Sequence, residues 1–308
     1  MKTIIAVLLL SFACAFTAAA ESEEMAQVDA IFTKTQKFLN ESKQHVVTPG
    51  APHDDLADFS HEPLLFIGEG VGNPKHDAKS QRGIMAIRAA ELAAQRAVLE
   101  YIKGFVMVGS TMISDGMLQS DVIVSAVQGT VKGVQKVNSE YDKDTERAIV
   151  IVKLGMGGPK GFGAALYEKI LNDPKVMQSI KTDKEPFKAE PVKLEIPFDG
   201  LIIDATGQNF RPALINRIFA AKGEVLYDPA KISQKVLVEQ GCGEYTNSVD
   251  KAKAALATRG VKNPLVIKAS GSTSSADLQV TDEDAVTIFS ANQKESFMAA
   301  AKVAFVLK

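Results

Sequence analysis

The stretch from Gly68 to Gly104, GEGVGNPKHDAKSQRGIMAIRAAELAAQRAVLEYIKG, constrains the fold of this chain more than any other. An apolar run, Pro63-Leu64-Leu65-Phe66-Ile67, ends in glycines at alternate positions, Gly68, Gly70 and Gly72, and a polar turn then leads to a long alanine-rich helix. That order predicts strand, tight turn, helix. Within the helix, Ile84, Ile87, Ala90, Ala94, Ala97, Val98, Tyr101 and Ile102 recur at spacings of three and four and share one face, while Arg88, Glu91 and Gln95 share another. Small residues on the inner face let a helix lie close against a sheet.

Glycines between a strand and a helix can bring backbone N–H groups up to a phosphate. A dinucleotide fingerprint needs G-x-G-x-x-G opening directly into the helix. Here the third glycine comes one residue early, and Pro74 to Gly83 intervene. No cofactor is expected; the glycines are read as positions of positive φ and close backbone contact.

Met1 to Ala20 has the form of a secretory signal, with Lys2 as a short basic region and Ile4 to Ala15 as the apolar core. Ala18, Ala19 and Ala20 supply the small residues before a cut, which predicts a mature chain starting at Glu21. Loss of Lys2 leaves 34 of the 35 basic side chains against 37 acidic ones, a net charge of −3. That balance gives no nucleic-acid footprint. No other stretch reaches the length of a membrane helix, so a soluble protein or one peripheral to a membrane is expected. Ser11-Phe12-Ala13 before Cys14 is a poor lipid-attachment box. After cleavage Cys242 is the one cysteine left, so stability must come from apolar burial rather than an intrachain disulfide.

Residues 21–61 read as an amphipathic helix, with Met25, Val28, Phe32 and Leu39 as a candidate assembly face, followed by an exposed connection. His45, His53, His61 and His76 cluster there and just beyond, with Asp54, Asp55, Asp58, Glu62 and Asp77 nearby. Their spacing fits no helix-borne metal site, since no H-x-x-x-H or H-E-x-x-H pair occurs. No metal is expected.

Phe105 to Ile113 is β-rich, Asp115 to Gln128 suggests a short helix, and Val131, Val134 and Val137 lead a strand into Tyr141. The turn Asp142-Lys143-Asp144-Thr145 then reverses the chain into Ala148-Ile149-Val150-Ile151-Val152. Residues 62–180 thus form a β-α-β-α-β-β domain with helices on one sheet face. The glycine-alternating turn, the helix from Ala86 to Leu99 followed by Ile102-Lys103-Gly104, and the later Gly129-Thr130-Val131-Lys132-Gly133-Val134 resemble the small outer-membrane lipoproteins of the Helicobacter twenty-kilodalton type. That family includes flagellar basal-disc subunits. The resemblance spans residues 68–154 and implies an envelope domain used for assembly, with no catalytic residues to carry over. The weak lipid box and the long C-terminal extension depart from the family pattern.

Gly157 to Gly163 reads as a hinge, because a phosphate loop would need Gly-Lys-Ser/Thr. A helix over Ala164 to Leu171 follows, and residues 181–198, with Pro186, Pro191 and Pro197 among alternating charges, read as a linker. Residues 199–308 form a second, smaller α+β domain. It begins with a strand at Gly200 to Asp204, has a hairpin around Lys222-Gly223, and contains a helix capped by Asn247 and stopped by Gly260. A strand at Pro264 to Ser270, a helix opened by Thr281 and a closing strand at Ala301 to Leu307 complete it. Parts of it also resemble, more loosely, an extension of longer members of the same envelope family.

Asp204, Arg211 and Arg217 are a candidate polar cleft, but an aspartate at a strand end is usually a turn former bonding its own backbone, and that is the favoured reading. Asp282, Glu283 and Asp284 lack the loop of a calcium site and suit a helix start. No G-x-S-x-G elbow is present, so no enzyme is expected. The sequence thus predicts a two-domain α+β envelope protein, exported to the periplasm or the outer-membrane periphery. Its expected role is a structural or assembly subunit, acting through homo-oligomeric contacts or with other envelope or flagellar proteins. A periplasmic small-ligand-binding protein, with its ligand between the domains, is the alternative.

Overall fold

A computed structural model describes residues 31–60, 62–76, 78–157 and 161–308. The signal segment with Cys14, Ala18, Ala20 and Glu21, the face residues Met25 and Val28, His61, Asp77 and the centre of the Gly157 to Gly163 loop lie outside these residues.

Helix α1 covers residues 31–42. Strand β1 (Val46–Val47) and the single-turn helix α2 (Asp55–Asp58) follow it. Strand β2 (Leu64–Val71) then runs straight through Gly68 and Gly70. The expected turn begins only after Val71, and none of Gly68, Gly70 and Gly72 has positive φ. Close approach is what requires them. A Cβ on Gly68 would sit 2.0 Å from the Ala90 carbonyl oxygen and 2.3 Å from the Ala94 nitrogen, and one on Gly70 would sit 2.3 Å from the Ala86 carbonyl oxygen.

Helix α3 (Lys79–Lys103) therefore crosses β2 backbone against backbone. Its contact line is Ala86, Ala90, Ala94, Val98 and Ile102, all fully buried, at steps of four. The helix is rolled relative to the sequence expectation: Ile84 is 67% exposed, and Ile87 and Ala97 are only half-buried. The glycine track admits methyl-sized side chains between two backbones, so the larger Ile84 turns outward. Beyond the glycines the gap widens, and Val98, Tyr101 and Ile102 fill it, each burying apolar area that stabilises by about 1.5–3 kcal/mol.

Strands β3 (Val106–Val108) and β4 (Thr111–Met112) pair with each other as a separate hairpin rather than joining the main sheet. Where one helix was expected, there are two, α4 (Ile113–Gln119) and α5 (Asp121–Lys132). Val131 belongs to α5 and not to a strand. The apolar spacing Ile123, Ala126, Val127 continues the helical period, and Gly133 ends the helix. Strands β5 (Gln135–Tyr141) and β6 (Arg147–Leu154) form the expected hairpin. Its turn is held by Asp142 Oδ1, which accepts from the Asp144 nitrogen at 2.8 Å.

The first sheet has the order β1-β2-β6-β5, with β1 parallel to β2 and the other pairs antiparallel. Phe66, Val150 and Val152 face the core beneath α3. By strand alternation Leu65 and Ile151 point to the opposite face, and they too are fully buried. Helices α6 (Phe162–Asn172) and α7 (Pro174–Ile180) follow, the second capped by Asp173. Residues 181–198 carry no regular element, yet they are strapped to the second half. Phe187 donates its N–H to Val225 at 2.9 Å, Val192 donates to Ser290 Oγ at 2.9 Å, and Phe187, Leu194 and Phe198 pack on the second core.

The second half contains β7 (Gly200–Asp204), β8 (Arg217–Ala220), β9 (Val225–Tyr227), α8 (Gln234–Gln240), β10 (Glu244–Thr246) and α9 (Val249–Thr258). It closes with β11 (Pro264–Lys268), β12 (Gly271–Ser272), β13 (Asp277–Val280), α10 (Asp282–Glu295) and β14 (Val303–Val306). One sheet is parallel throughout, in the order β10-β14-β7-β11; a mixed sheet has the order β12-β13-β8-β9. The central strands β7 and β14 are covered on both faces, which explains their unbroken apolar runs. Leu201, Ile203, Val303 and Phe305 face a core shared with α10 and the mixed sheet, while Ile202, Ala304 and Val306 face Ala252 and Leu256 of α9.

The cap of α9 is Ser248 rather than Asn247, its Oγ accepting from the Lys251 nitrogen at 3.3 Å. Gly260, with φ +78°, ends the helix as expected. Thr281 caps α10, accepting from the Asp284 nitrogen at 3.1 Å and donating to the Asp284 carboxylate at 2.7 Å.

The protein is mixed α+β in two domains, and the domains share a core. Leu214, Ile215, Leu237 and Cys242 of the second half pack with the first. The hairpin of β3 and β4 docks there, with the Leu214 and Ile215 nitrogens donating to the Val106 and Met107 carbonyls at 3.2 and 3.0 Å.

Candidate functional site

The three residues of the candidate polar cleft are each engaged elsewhere. Asp204 closes the turn after β7, accepting from the Thr206 hydroxyl at 2.7 Å and from the Thr206 nitrogen at 3.0 Å. Those bonds hold its carboxyl below the usual aspartate range. Arg211 donates to Asp55 of α2, joining the two halves. Arg217 is buried with Asp228 at 3.2 Å and donates to the Ile180 carbonyl at the end of α7. Behind it, Asp277 accepts from the Arg217 nitrogen at 3.3 Å and from Ser274 Oγ at 2.9 Å; burial pushes its carboxyl up. Sequence spacing put these residues in one region, but their side chains serve the turn and the joint between the domains.

Of the histidine-rich segment, His53 sits in a compact polar cluster. Asp58, at the end of α2, is almost wholly buried. Its carboxylate accepts from Tyr101 Oη at 2.5 Å and pairs with His53 Nδ1 at 2.7 Å. A carboxylate only accepts, so the ring proton of a neutral His53 resides on Nδ1. The imidazole stacks on Tyr101 with centroids 4.2 Å apart and meets the edge of Phe105 at 4.8 Å. Its other nitrogen, Nε2, lies against Gly104, where an added methyl would come within 2.4 Å. The ring nitrogen that a nucleophile or a metal would need thus abuts backbone. Burial first, and then the bond to Asp58, raise the Tyr101 phenol well above its ordinary value. Among the described residues no group of three or more His, Cys, Asp or Glu side chains is placed to hold a metal.

A second cluster surrounds Cys242 at the joint. Its Sγ lies 3.1 Å from Tyr245 Oη, the Tyr227 hydroxyl donates to its carbonyl at 2.5 Å, and Tyr167 donates to the Leu214 carbonyl. Burial raises the thiol and all three phenols. A buried thiol held in its neutral form is a poor nucleophile.

Open space lies elsewhere. A cleft of about 410 Å³ separates α3 from the loop after β1 and is lined by Thr48, His53, Arg96 and Tyr101. A groove of about 850 Å³ runs between α5 and α6 above the end of β6. Its lining includes Ala126, Gly129, Leu154, Gly155, Phe162 and Ala165, with Lys153, Glu168 and Lys169 at the rim. The sequence reading passed over this groove because its walls come from segments about 30 residues apart. Gly129 was the available signal, a glycine inside a helix where alanine would be favoured by about 1 kcal/mol.

Also missed was the outer face of α3, where Ile84, Met85 and Leu92 are 67%, 37% and 49% exposed. In α1, Ile31 and Thr35 are buried, while Phe32 and Leu39 of the expected assembly face are half-buried. No helix among the described residues is long and apolar enough to cross a membrane.

The family model of the second domain of Treponema pallidum Tp0624 matches residues 200–308. The match begins where β7 begins, so the second half of this chain is similar to a domain that recurs in another protein. No curated protein matches the chain.

Proposed function

We propose that this protein is a non-enzymatic subunit of an outer-membrane-associated assembly, exported to the periplasm or the outer-membrane periphery and working by contact between copies. The observation that carries this reading is the outer face of α3. Ile84, Met85 and Leu92 stand exposed on a helix whose opposite face is already buried on the sheet. They stand among Arg88, Glu91 and Gln95 on that face, and large apolar side chains left exposed together on one helix mark an interaction surface or a liability. A second copy of the chain is the occupant proposed here, since closed homo-oligomers cover such stripes.

The polar groups support the same reading. His53, Asp58, Tyr101, Arg211, Arg217 and Cys242 each bind another part of the chain, which suits a rigid building block. The likeness of residues 68–154 to Helicobacter-type outer-membrane lipoproteins extends the proposal to a flagellar basal structure as one setting.

Cross-linking tests the contact. The mature chain would carry one cysteine, Cys242, which is buried, so a Leu92→Cys variant presents a single accessible thiol. A short bis-maleimide should yield covalent dimers from this variant and none from the parent. Absence of dimers with the variant at micromolar concentration contradicts α3 as the contact.

A further inference from the structure

We propose that the groove between α5 and α6 binds a single-chain anionic amphiphile, a long-chain carboxylate or its equivalent. The argument starts from glycines that the chain itself does not need. Among the described glycines, Gly129, Gly155 and Gly207 combine an absence of positive φ with no atom within 4 Å of an added Cβ. Gly207 sits in the turn held by Asp204. Gly129, on the last turn of α5, and Gly155, just after β6, line the same groove from two walls. Neither backbone conformation nor packing calls for them. What they do is keep the groove wide, at the expense of helix stability in the case of Gly129.

The dimensions and chemistry define the ligand. About 850 Å³ is within the range of small-molecule sites. Ala126, Leu154, Phe162 and Ala165 make an apolar floor, suited to methylene groups. At the rim stand Lys153 and Lys169, neither with a carboxylate within 4.0 Å among the described residues, against Glu168. Two free ammonium groups above an apolar floor favour an acyl chain with a negative head. The site belongs to the first domain and is independent of the α3 surface, so either can fail without the other.

The test uses the full mature chain and calorimetric titration with sodium dodecanoate below its micelle concentration, beside dodecyltrimethylammonium and phosphatidylglycerol vesicles. One-to-one saturable binding of dodecanoate and none of the cation is expected. A Cβ at Gly129 meets no atom within 4 Å, so Gly129→Leu places its side chain in the groove; it should bind dodecanoate at least about tenfold more weakly while melting no lower than the parent. Lys153→Gln with Lys169→Gln should weaken dodecanoate and remove its salt dependence. No saturable binding by the parent, unchanged affinity in Gly129→Leu, or binding to vesicles without binding to monomeric dodecanoate would each overturn the proposal.

Discussion

Arg211 reaches across 156 residues of chain to Asp55, with its Nε and Nη2 each 3.2 Å from one carboxylate oxygen. Beside this pair the joint carries a buried one, Arg217 with Asp228, and a shared apolar core around Leu214 and Ile215. The first pair is partly solvated and the second is enclosed, and that difference sets their weight.

Arg211→Ala should therefore lower stability by no more than about 1 kcal/mol, as partly exposed pairs do. Asp228→Ala should cost about 3–5 kcal/mol, because it leaves the Arg217 guanidinium buried without its carboxylate. Urea unfolding of both variants measures the contrast; equal losses would mean that the joint is not ordered as described.

Packing of α3 on β2 gives a second test. Gly68→Ala must push Ala90 and Ala94 backbone atoms aside and should destabilise by about 3 kcal/mol or more. Ala94→Leu should be comparably severe. Ala97→Leu and Gln95→Leu, at half-buried positions, should each stay within about 1 kcal/mol.

The Asp58 cluster should behave as one unit. Asp58→Ala strips both Tyr101 and His53 of their acceptor, and a loss of about 2–4 kcal/mol is expected from the buried groups left unsatisfied. With Tyr101→Phe added, the double variant should lose less than the sum of the two single changes.

Asp277 predicts a pH dependence with a definite sign. Burial raises its folded-state value above the ordinary 3.8, so the folded protein holds this proton more tightly than the unfolded chain. The stability it contributes is full below the ordinary value and is lost as pH rises through the raised one. Asp277→Asn should remove that loss, gaining on the parent between pH 4 and pH 7. Chemical denaturation at the two pH values checks it, and an equal offset at both would assign the effect to hydrogen bonding alone.

Much of the fold was legible in the residues. The β2 and β6 strands, the α3 helix, the hairpin turn at Asp142 and the unbroken apolar runs of β7 and β14 follow from period and turn chemistry. The roll of α3 was not, because it depends on how far Gly68 and Gly70 let two backbones approach, which periodicity alone does not report. Asp204 closes a local turn on Thr206, as a strand-end aspartate should, whereas Arg211 and Arg217 find their partners Asp55, Asp228 and Ile180 only through the tertiary fold. The groove at Gly129 needed two distant walls to be seen at all.

Sedimentation velocity of the mature chain, beside an Ile84→Glu, Leu92→Glu variant, tests the assembly reading most directly. Both substitutions sit on the solvent side of α3 and keep good helix formers, so circular dichroism and melting should match the parent. The account predicts a concentration-dependent oligomer for the parent and a folded monomer for the variant. A parent that stays monomeric across micromolar concentrations, or a variant that assembles as well as the parent, would contradict it.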